Sequence, residues 1–213
     1  MSATLFLIME IIGTVAFAVS GATTAVKKNM DIFGVAILGL TTAVGGGIVR
    51  DLILGISPPI TFQKPVYAIT AICVSILIFL PAVRRFIDRE QRIYYIVLLI
   101  LDSVGLGIFT VSGIKTAYTV YPKSGMFLVI FVGVVTGVGG GVMRDIMADN
   151  TPYIFVKHFY ATASLVGAFV CTFLWNRVPQ VYAMLAGITA TLVLRLLAAK
   201  YRWSLPKAGD LKQ

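Results

Sequence analysis

Apolar stretches of about 20 residues, the length that spans the roughly 30 Å hydrocarbon core of a bilayer, recur along the whole chain. Short segments with charges, prolines and turn residues separate them. The stretches at 32–49 and 125–143 contain no charged residue. We therefore predict an all-α integral membrane protein. Its seven transmembrane helices are predicted at 4–26, 32–54, 65–83, 93–114, 125–147, 157–176 and 178–199.

The composition agrees with this prediction. The 213-residue chain is 58% hydrophobic and 13% charged, whereas a soluble domain has about 25% charged residues. The net charge of +9 does not indicate nucleic-acid binding, because the basic residues lie in short connections and near the C-terminus, where they orient helices and meet anionic lipid. We expect a single transmembrane domain, 1–213, with membrane lipid as a partner and no nucleic acid.

The distribution of lysine and arginine predicts the orientation. With seven helices, successive connections alternate between the two sides of the membrane, and basic residues concentrate on the cytoplasmic side. One side carries Lys27, Lys28, Arg84, Arg85, Arg89, Arg92, Lys157, Lys200, Arg202, Lys207 and Lys212, and the other carries Lys64, Lys115, Lys123 and Arg177. The C-terminus is therefore predicted in the cytoplasm and the N-terminus outside, in the inner (plasma) membrane.

The sequence repeats itself. The motif GGGIVRD at 45–51 recurs as GGGVMRD at 139–145, 94 residues later, and 17–25 resembles 109–117 at an offset of 92. This pattern predicts a duplicated three-helix unit. Because three is odd, the second copy enters the membrane in the opposite orientation, an architecture common in transport proteins. The predicted divisions are repeat 1 at 1–83, repeat 2 at 93–176 and a seventh helix at 178–199.

Each copy has a glycine triplet inside a predicted membrane helix. Glycine weakens a helix and lets its backbone bend. A break there frees carbonyl oxygens, which are the groups that replace water around a permeating monovalent cation. We predict an ion pathway where the two broken helices meet, although close helix packing is a second interpretation that stays open. The triplet residues are Gly45, Gly46, Gly47, Gly139, Gly140 and Gly141.

Charged residues follow each triplet. Arg50 and Asp51 come after the first triplet, and Arg144 and Asp145 after the second. A charge at the bilayer centre costs at least about 2.5 kcal/mol, so these side chains must face a cavity, a partner or the interface. We assign them to the ion pathway and expect Asp51 to cap backbone donors in the turn that follows. Snorkelling to the interface is the alternative.

Two acids and two serines occupy matched positions deeper in the helices. Glu10 corresponds to Asp102, and Ser20 corresponds to Ser112. A buried acid is expensive enough to indicate either attraction of cations or an ion pair with the arginine after a triplet, and both roles stay open. The serine hydroxyls either line the pathway or bond back to the preceding turn.

The sequence does not indicate an enzyme. The single histidine, His158, lies beside Lys157 with no nucleophile or metal-ligand spacing nearby. The motif GGGxxRD lacks the spacing of a P-loop or a dinucleotide-binding loop. We expect no catalytic residue, no cofactor and no metal other than a permeant monovalent cation.

The paired GGGxxRD motifs in a seven-helix chain resemble the prokaryotic branch of the trimeric intracellular cation (TRIC) channels, whose relatives include the UPF0126 membrane proteins and proteins named as glycine transporters. The resemblance implies a homotrimer with one potassium-conducting pore per subunit and with the second and fifth helices kinked at the triplets. It also implies that the seventh helix, which carries Arg195, braces the pore. Animal members hold a phosphoinositide with basic residues on the second helix, where this chain has Arg50 without an evident lysine partner.

Two functions follow from these features. A potassium or sodium channel needs a continuous wet path and weak ion sites, whereas a transporter of a small amino acid such as glycine needs an occluding site for a zwitterion. The triplets and arginines serve either function. We favour the channel, because each repeat offers carbonyls and acids but few groups to recognise an ammonium and a carboxylate together.

Overall fold

The computed structural model describes residues 3–83, 85, 91–156, 159–201 and 203, which are helical apart from the connections. The helices are α1 (Ala3–Lys27), α2 (Ile32–Ile53), α3 (Ile60–Gln63), α4 (Val66–Phe79), α5 (Gln91–Val120), α6 (Met126–Met147), α7 (Tyr153–Val156), α8 (Tyr160–Leu174) and α9 (Gln180–Tyr201). Outside the described residues lie Arg84, Arg89, Lys157, His158, Arg202, Lys207 and Lys212, together with the side chain of Arg92.

The helices have the length and surface of a membrane protein. Helices α1, α2, α5, α6 and α9 are long and apolar enough to cross a bilayer. Helices α4 and α8 are apolar but have only 14 and 15 residues. Large apolar side chains are exposed on the outer surface, among them Phe33, Leu52 and Phe127. An apolar surface of this kind is suited to lipid rather than to water. The chain is an all-helical integral membrane protein.

Several helix ends differ from the sequence-based ranges. Helix α4 ends at Phe79 rather than near 83, because Pro81 disfavours the helical conformation in the residue before it. Helix α5 continues to Val120, beyond the predicted end at 114. Lys115 does not end the helix but lies within it. Its ammonium is 3.2 Å from the centre of the Phe6 ring.

Two sets of three helices form the body of the protein. Helices α1, α2 and α4 pack on one another, and α5, α6 and α8 do the same. The two sets meet where α2 packs against α6 and α1 against α5. Helix α9 packs on α5 and α8, outside both sets. The contact between α2 and α6 brings both glycine triplets to the centre of the protein.

Neither triplet interrupts its helix. Helix α2 runs unbroken through the first triplet and α6 through the second, so the expectation of broken helices was wrong. Glycine costs only about 1 kcal/mol relative to alanine in a helix interior, and each triplet has several helical turns on one side and at least one on the other. The close backbone contact between α2 and α6 offsets that cost, because only glycine allows it.

Candidate functional site

Helices α2 and α6 touch backbone to backbone at the triplets. A Cβ atom added at Gly46 would overlap the carbonyl oxygen of Thr136, and one added at Gly140 would overlap the carbonyl oxygen of Thr42. Both threonine hydroxyls bond back into their own helices, to Leu38 and Val132, at 2.6 Å. The middle glycines therefore allow an approach that no other residue allows, which supports the packing interpretation of the triplets.

The last glycines of the triplets face different surroundings. A Cβ at Gly47 would meet only the Nη2 atom of Arg50, at 3.8 Å. A Cβ at Gly141 would lie 3.0 Å from the hydroxyl oxygen of Tyr160 and 3.8 Å from the Nη2 atom of Arg144. The two ends of the helix crossing are thus open beside Gly47 and occupied beside Gly141.

The arginine and aspartate after each triplet form the same local structure twice. Arg50 donates from Nε to Oδ1 of Asp51 at 2.8 Å, and Oδ2 of Asp51 accepts the backbone N–H of Ile60 at 2.7 Å. Asp51 thereby caps the first turn of α3, so the capping role expected of it is present. The side chains of Arg50 and Asp51 are buried, and the alternative of interfacial snorkelling was therefore wrong.

The second copy repeats these bonds. Arg144 donates from Nε to Oδ1 of Asp145 at 2.9 Å, and Oδ2 of Asp145 accepts the backbone N–H of Tyr153 at 3.0 Å. Asp145 therefore caps α7 as Asp51 caps α3. The guanidinium of Arg144 also lies over the Tyr153 ring, 5.0 Å from its centre. Each short helix thus fixes the aspartate that holds the arginine of its copy.

Five residues from both helix sets form the first network: Glu10, Arg50, Asp51, Tyr67 and Ser112. The carboxylate of Glu10 accepts one hydrogen bond from the Ser112 hydroxyl at 2.8 Å and another from the Tyr67 hydroxyl. Arg50 reaches the Ser112 hydroxyl oxygen from Nη1 at 3.4 Å. The expected pairing of Glu10 with Arg50 is therefore indirect, through a serine of the other helix set.

The matching residues form the second network: Ser20, Asp102, Arg144, Asp145 and Tyr160. Here Arg144 pairs directly with Asp102, from Nη1 to Oδ1 at 2.8 Å, and Nη1 also donates to the Ser20 hydroxyl oxygen. The second network thus contains the direct ion pair expected of a buried acid. In the described part of the chain, Oδ2 of Asp102, Nη2 of Arg144 and the hydroxyl of Tyr160 have no hydrogen-bond partner.

Ser20 and Ser112 connect the two halves of the molecule. Ser112 belongs to α5 but contributes to the first network, and Ser20 belongs to α1 but contributes to the second. The sequence left open whether these serines bond only to the preceding turn of their own helices. Each of them instead contacts a charged residue of another helix. Because both hydroxyls are buried, breaking either link exposes a charged partner to an apolar surrounding, which is costly.

A small cavity with both polar and apolar lining residues lies beside the first network. Its volume is about 30 Å³, enough for about two water molecules. Glu10 is half-buried and lines this cavity, together with Gly47 and Arg50. The remaining lining residues are Thr14, Ala43, Val44, Ile60, Thr61, Tyr67 and Phe109. The cavity therefore borders a carboxylate, a guanidinium and the end of the first triplet.

Sequence reasoning missed three parts of the site. Tyr67 and Tyr160 complete the two networks, and Arg195 of α9 lies over the Tyr160 ring, 4.8 Å from its centre. The two tyrosines lie at matching places in the two copies, so the repeat itself contained the signal. Arg195 has no counterpart in the repeat pattern, and only the packing of α9 reveals its position. No group of three His, Cys, Asp or Glu side chains suited to a metal ion occurs within the described ranges.

Known proteins are similar to this chain over most of its length. A family model described as Glycine transporter matches residues 7–82 and 99–176. The UPF0126 inner membrane protein YadS of Escherichia coli K12 is 36% identical over 200 residues, which cover 93% of both chains. A UPF0126 membrane protein of Deinococcus radiodurans is also 36% identical over 200 residues, covering 93% of this chain and 89% of that protein.

Several solved structures share the fold. A chain solved to explain conductance through TRIC cation channels is 40% identical, with a TM-score of 0.83 and 97% of both chains covered. A TRIC trimeric intracellular cation channel orthologue from Rhodobacter sphaeroides is 34% identical, with a TM-score of 0.85 and coverage of 93% of this chain and 99% of that one. A prokaryotic TRIC channel in 0.5 M KCl is 30% identical, with a TM-score of 0.85 and coverage of 95% and 99%.

Proposed function

We propose that this chain, which belongs to the UPF0126 membrane protein family matched by the Glycine transporter model, is a cation channel of the inner membrane. Three similar solved structures are TRIC channels with TM-scores of 0.83 to 0.85. The relative from Escherichia coli is named as an inner membrane protein. These likenesses cover nearly the whole chain, so they apply to both helix sets.

We further propose how the channel is arranged in the membrane. Helices α1, α2 and α4 form one three-helix repeat, α5, α6 and α8 form an inverted second repeat, and α9 is the seventh span. Three chains assemble, each with its own pore, since the similar structures include a trimeric channel. The N-terminus lies outside and the C-terminus in the cytoplasm, in agreement with the excess of basic residues on that side.

The observation that carries the proposal is the cavity beside the first network, which residues of α1, α2, α3, α4 and α5 line. It joins the half-buried carboxylate of Glu10 to Gly47 at the end of the first triplet. A carboxylate at such a place attracts cations and repels anions. We propose that the ion pathway leads from this cavity through the crossing of α2 and α6, along both triplets and both networks, and that potassium is the main permeant ion.

Glycine transport is the alternative that the experiments must separate. Glu10 and Arg50 line the same cavity, and a zwitterion would need one group of each charge. Arg50 is already held by Asp51, however, and its Nη1 atom points to Ser112. The cavity of about 30 Å³ suits water or a partly hydrated monovalent cation better than an amino acid.

The deciding experiment is single-channel recording. The purified full chain is placed in a planar bilayer under a potassium chloride gradient, and uptake of labelled glycine is measured in vesicles made from the same preparation. Discrete currents that reverse near the potassium equilibrium potential support the channel. A silent bilayer together with saturable glycine uptake would overturn it in favour of the transporter.

A matched pair of variants tests the role of the cavity. Glu10→Gln removes the charge and keeps the shape, so we expect lower unit conductance and weaker selectivity for potassium over chloride. Asp31→Asn is the control, because Asp31 is exposed at the N-terminus of α2 and asparagine caps a helix equally well. Equal conductance and selectivity in Glu10→Gln and Asp31→Asn would place the ion pathway elsewhere.

A further inference from the structure

A second pocket lies where α5 and α8 end and α9 begins. Its volume is about 240 Å³, whereas the cavity that Glu10 lines has about 30 Å³. Polar and aromatic side chains line it, among them those of Lys115, Tyr118, Thr119, Trp175, Asn176 and Gln180. None of the described residues that line this pocket is an acid. Its lining therefore carries one positive charge and no negative charge.

Lys115 supplies the charge of this pocket. It is half-buried, and its ammonium lies over one face of the Phe6 ring. An ammonium has three N–H donors and accepts no hydrogen bond. The ring occupies one side of the ammonium, so the remaining donors need an acceptor. The oxygens of a phosphate group suit such a donor, because a hydrogen bond between two charged groups is stronger than a neutral one.

The other polar groups of the pocket also favour an anion. Asn176 and Gln180 are exposed, and the amide nitrogen of each carries two N–H donors. Gln180 is also the first residue of α9, and the N-terminal end of a helix carries a partial positive charge. The rings of Tyr118 and Trp175 stack with their centres 5.0 Å apart and join α5 to the end of α8. Donors from three helix ends thus surround one space.

An apolar depression of about 590 Å³ adjoins the pocket, and Pro122 lines both. Val120, Tyr121 and Leu128 line the depression, together with Lys123. A soluble phosphate would use the polar pocket alone. A phospholipid satisfies both places, because its phosphate suits the polar pocket and its acyl chain suits the apolar depression.

We propose that this pocket binds the phosphate group of an anionic phospholipid and that the bound phosphate raises the cation current. The effect on the current rests on the proposed channel function, whereas the binding does not. Lys115 follows Ser112 of the first network by about one helical turn, and its charge interacts with that of Glu10. A positive charge there opposes the attraction of Glu10 for cations. A phosphate that neutralises Lys115 therefore strengthens the field of Glu10 at its cavity.

Trp175 gives a direct measurement of binding, because it lines the pocket. The chain has two tryptophans, so Trp203→Phe leaves Trp175 as the single reporter. This chain is purified in a detergent without phosphate, and its fluorescence is followed while short-chain phosphatidylglycerol, short-chain phosphatidylcholine or inorganic phosphate is added. We expect a saturable change with phosphatidylglycerol and little change with phosphatidylcholine, whose own ammonium balances its phosphate charge.

Three further variants, each combined with Trp203→Phe, locate the site. Lys115→Gln should raise the half-saturating concentration of phosphatidylglycerol by about tenfold or more, since hydrogen bonds between charged groups are lost. Gln180→Leu keeps every charge and alters an exposed residue, so it should weaken binding by a smaller factor without affecting the fold. Lys64→Gln is the charge-matched control, because Lys64 also interacts with Lys115 but lines neither the pocket nor the depression.

Single-channel recording measures the effect of the lipid on the current. Planar bilayers of phosphatidylcholine are compared with bilayers that also contain phosphatidylglycerol, in about 1 M potassium chloride, where the Debye length of about 3 Å screens the charge of the bilayer surface. We expect phosphatidylglycerol to raise the potassium conductance of the unaltered chain by about twofold. Lys115→Gln should conduct at the higher level in both bilayers, because it has no positive charge to neutralise.

Each other outcome has a definite meaning. A Lys115-dependent response to inorganic phosphate that equals the response to phosphatidylglycerol would overturn the lipid and assign the pocket to a soluble phosphate. Fluorescence changes that are the same in Lys115→Gln, Gln180→Leu and Lys64→Gln would overturn the site. Binding that leaves the conductance unchanged would overturn the coupling to the current. A chain that binds the lipid but conducts no ions would overturn the proposed channel and leave the binding site intact.

Discussion

Each network has a second acid besides the aspartate that follows the arginine. In the first network it is a glutamate, Glu10 of α1, whereas in the second it is an aspartate, Asp102 of α5. The extra methylene lets Glu10 reach both Ser112 and Tyr67. The shorter Asp102 instead pairs directly with Arg144 and leaves the Tyr160 hydroxyl without a hydrogen-bond partner in the described residues. Two copies of one motif therefore neutralise their arginines in different ways.

The difference in burial follows from the difference in pairing. Asp102 is 2% exposed, while Glu10 is half-buried and lines a cavity large enough for water. A carboxylate that water reaches depends little on any one partner. A carboxylate in a dry surrounding depends on its partner strongly, because the cost of removing a charge from water is repaid only by good geometry. The first network is thus the wet side of the site and the second the dry side.

The largest effect is expected for removal of the two acids. Asp102→Ala leaves the buried Arg144 with one acid fewer and should lower the free energy of unfolding by about 3 to 5 kcal/mol. Glu10→Ala removes the hydrogen bonds from Tyr67 and Ser112 but leaves a cavity that water can fill, and it should cost about 2 kcal/mol. Unfolding of the purified variants in mixed micelles measures both values. Equal losses would show that the two networks are equivalent.

Substitution of the middle glycines tests the helix contact that both copies make. A Cβ at Gly46 or at Gly140 overlaps a carbonyl oxygen of the other helix, so each alanine variant should force α2 and α6 apart. We expect both Gly46→Ala and Gly140→Ala to lose about 1 to 3 kcal/mol. The same unfolding measurement applies. Tolerance of either change would mean that the helices can separate at the crossing without cost.

Removal of the tyrosine hydroxyls should have a smaller effect, which differs between the two networks. Tyr67→Phe removes the hydroxyl that donates to Glu10 and should destabilise the chain by about 1 to 2 kcal/mol, as is typical of hydrogen bonds to charged groups. Tyr160→Phe removes a buried hydroxyl that has no hydrogen-bond partner in the described residues, so the stability should be unchanged or slightly higher. A greater loss in Tyr160→Phe than in Tyr67→Phe would contradict the assignment of the wet and dry sides.

The last glycines of the triplets should give the smallest effects, of opposite sign. Gly47→Ala has space beside it and should stabilise α2 by up to about 1 kcal/mol, because alanine is the better helix former. Gly141→Ala must displace the Tyr160 hydroxyl and should destabilise by about 1 kcal/mol. Thermal midpoints in detergent resolve the sign. Stabilisation by both substitutions would mean that the space beside Gly141 is larger than its contacts indicate.

The hydrophobic pattern determined much of the fold in advance. Apolar stretches of membrane-spanning length fixed the protein class. The offset between the copies identified pairs of residues that occupy matching places in the two networks, including Glu10 with Asp102 and Ser112 with Ser20. The same reasoning was wrong about the triplets. It treated three glycines as a weakness of the isolated helix, whereas α2 and α6 remain continuous and use the glycines as a contact surface.

The residue types alone marked the important positions, because buried charges and consecutive glycines are too costly in a membrane helix to occur without a role. What each of these residues contacts depends on the packing of the helices. Whether an acid pairs with its arginine directly or through a serine depends on one methylene and on helix positions at the ångström scale, which no repeat pattern records. The place of Arg195 depends on how α9 packs against α8, and that contact joins residues 35 positions apart in the chain.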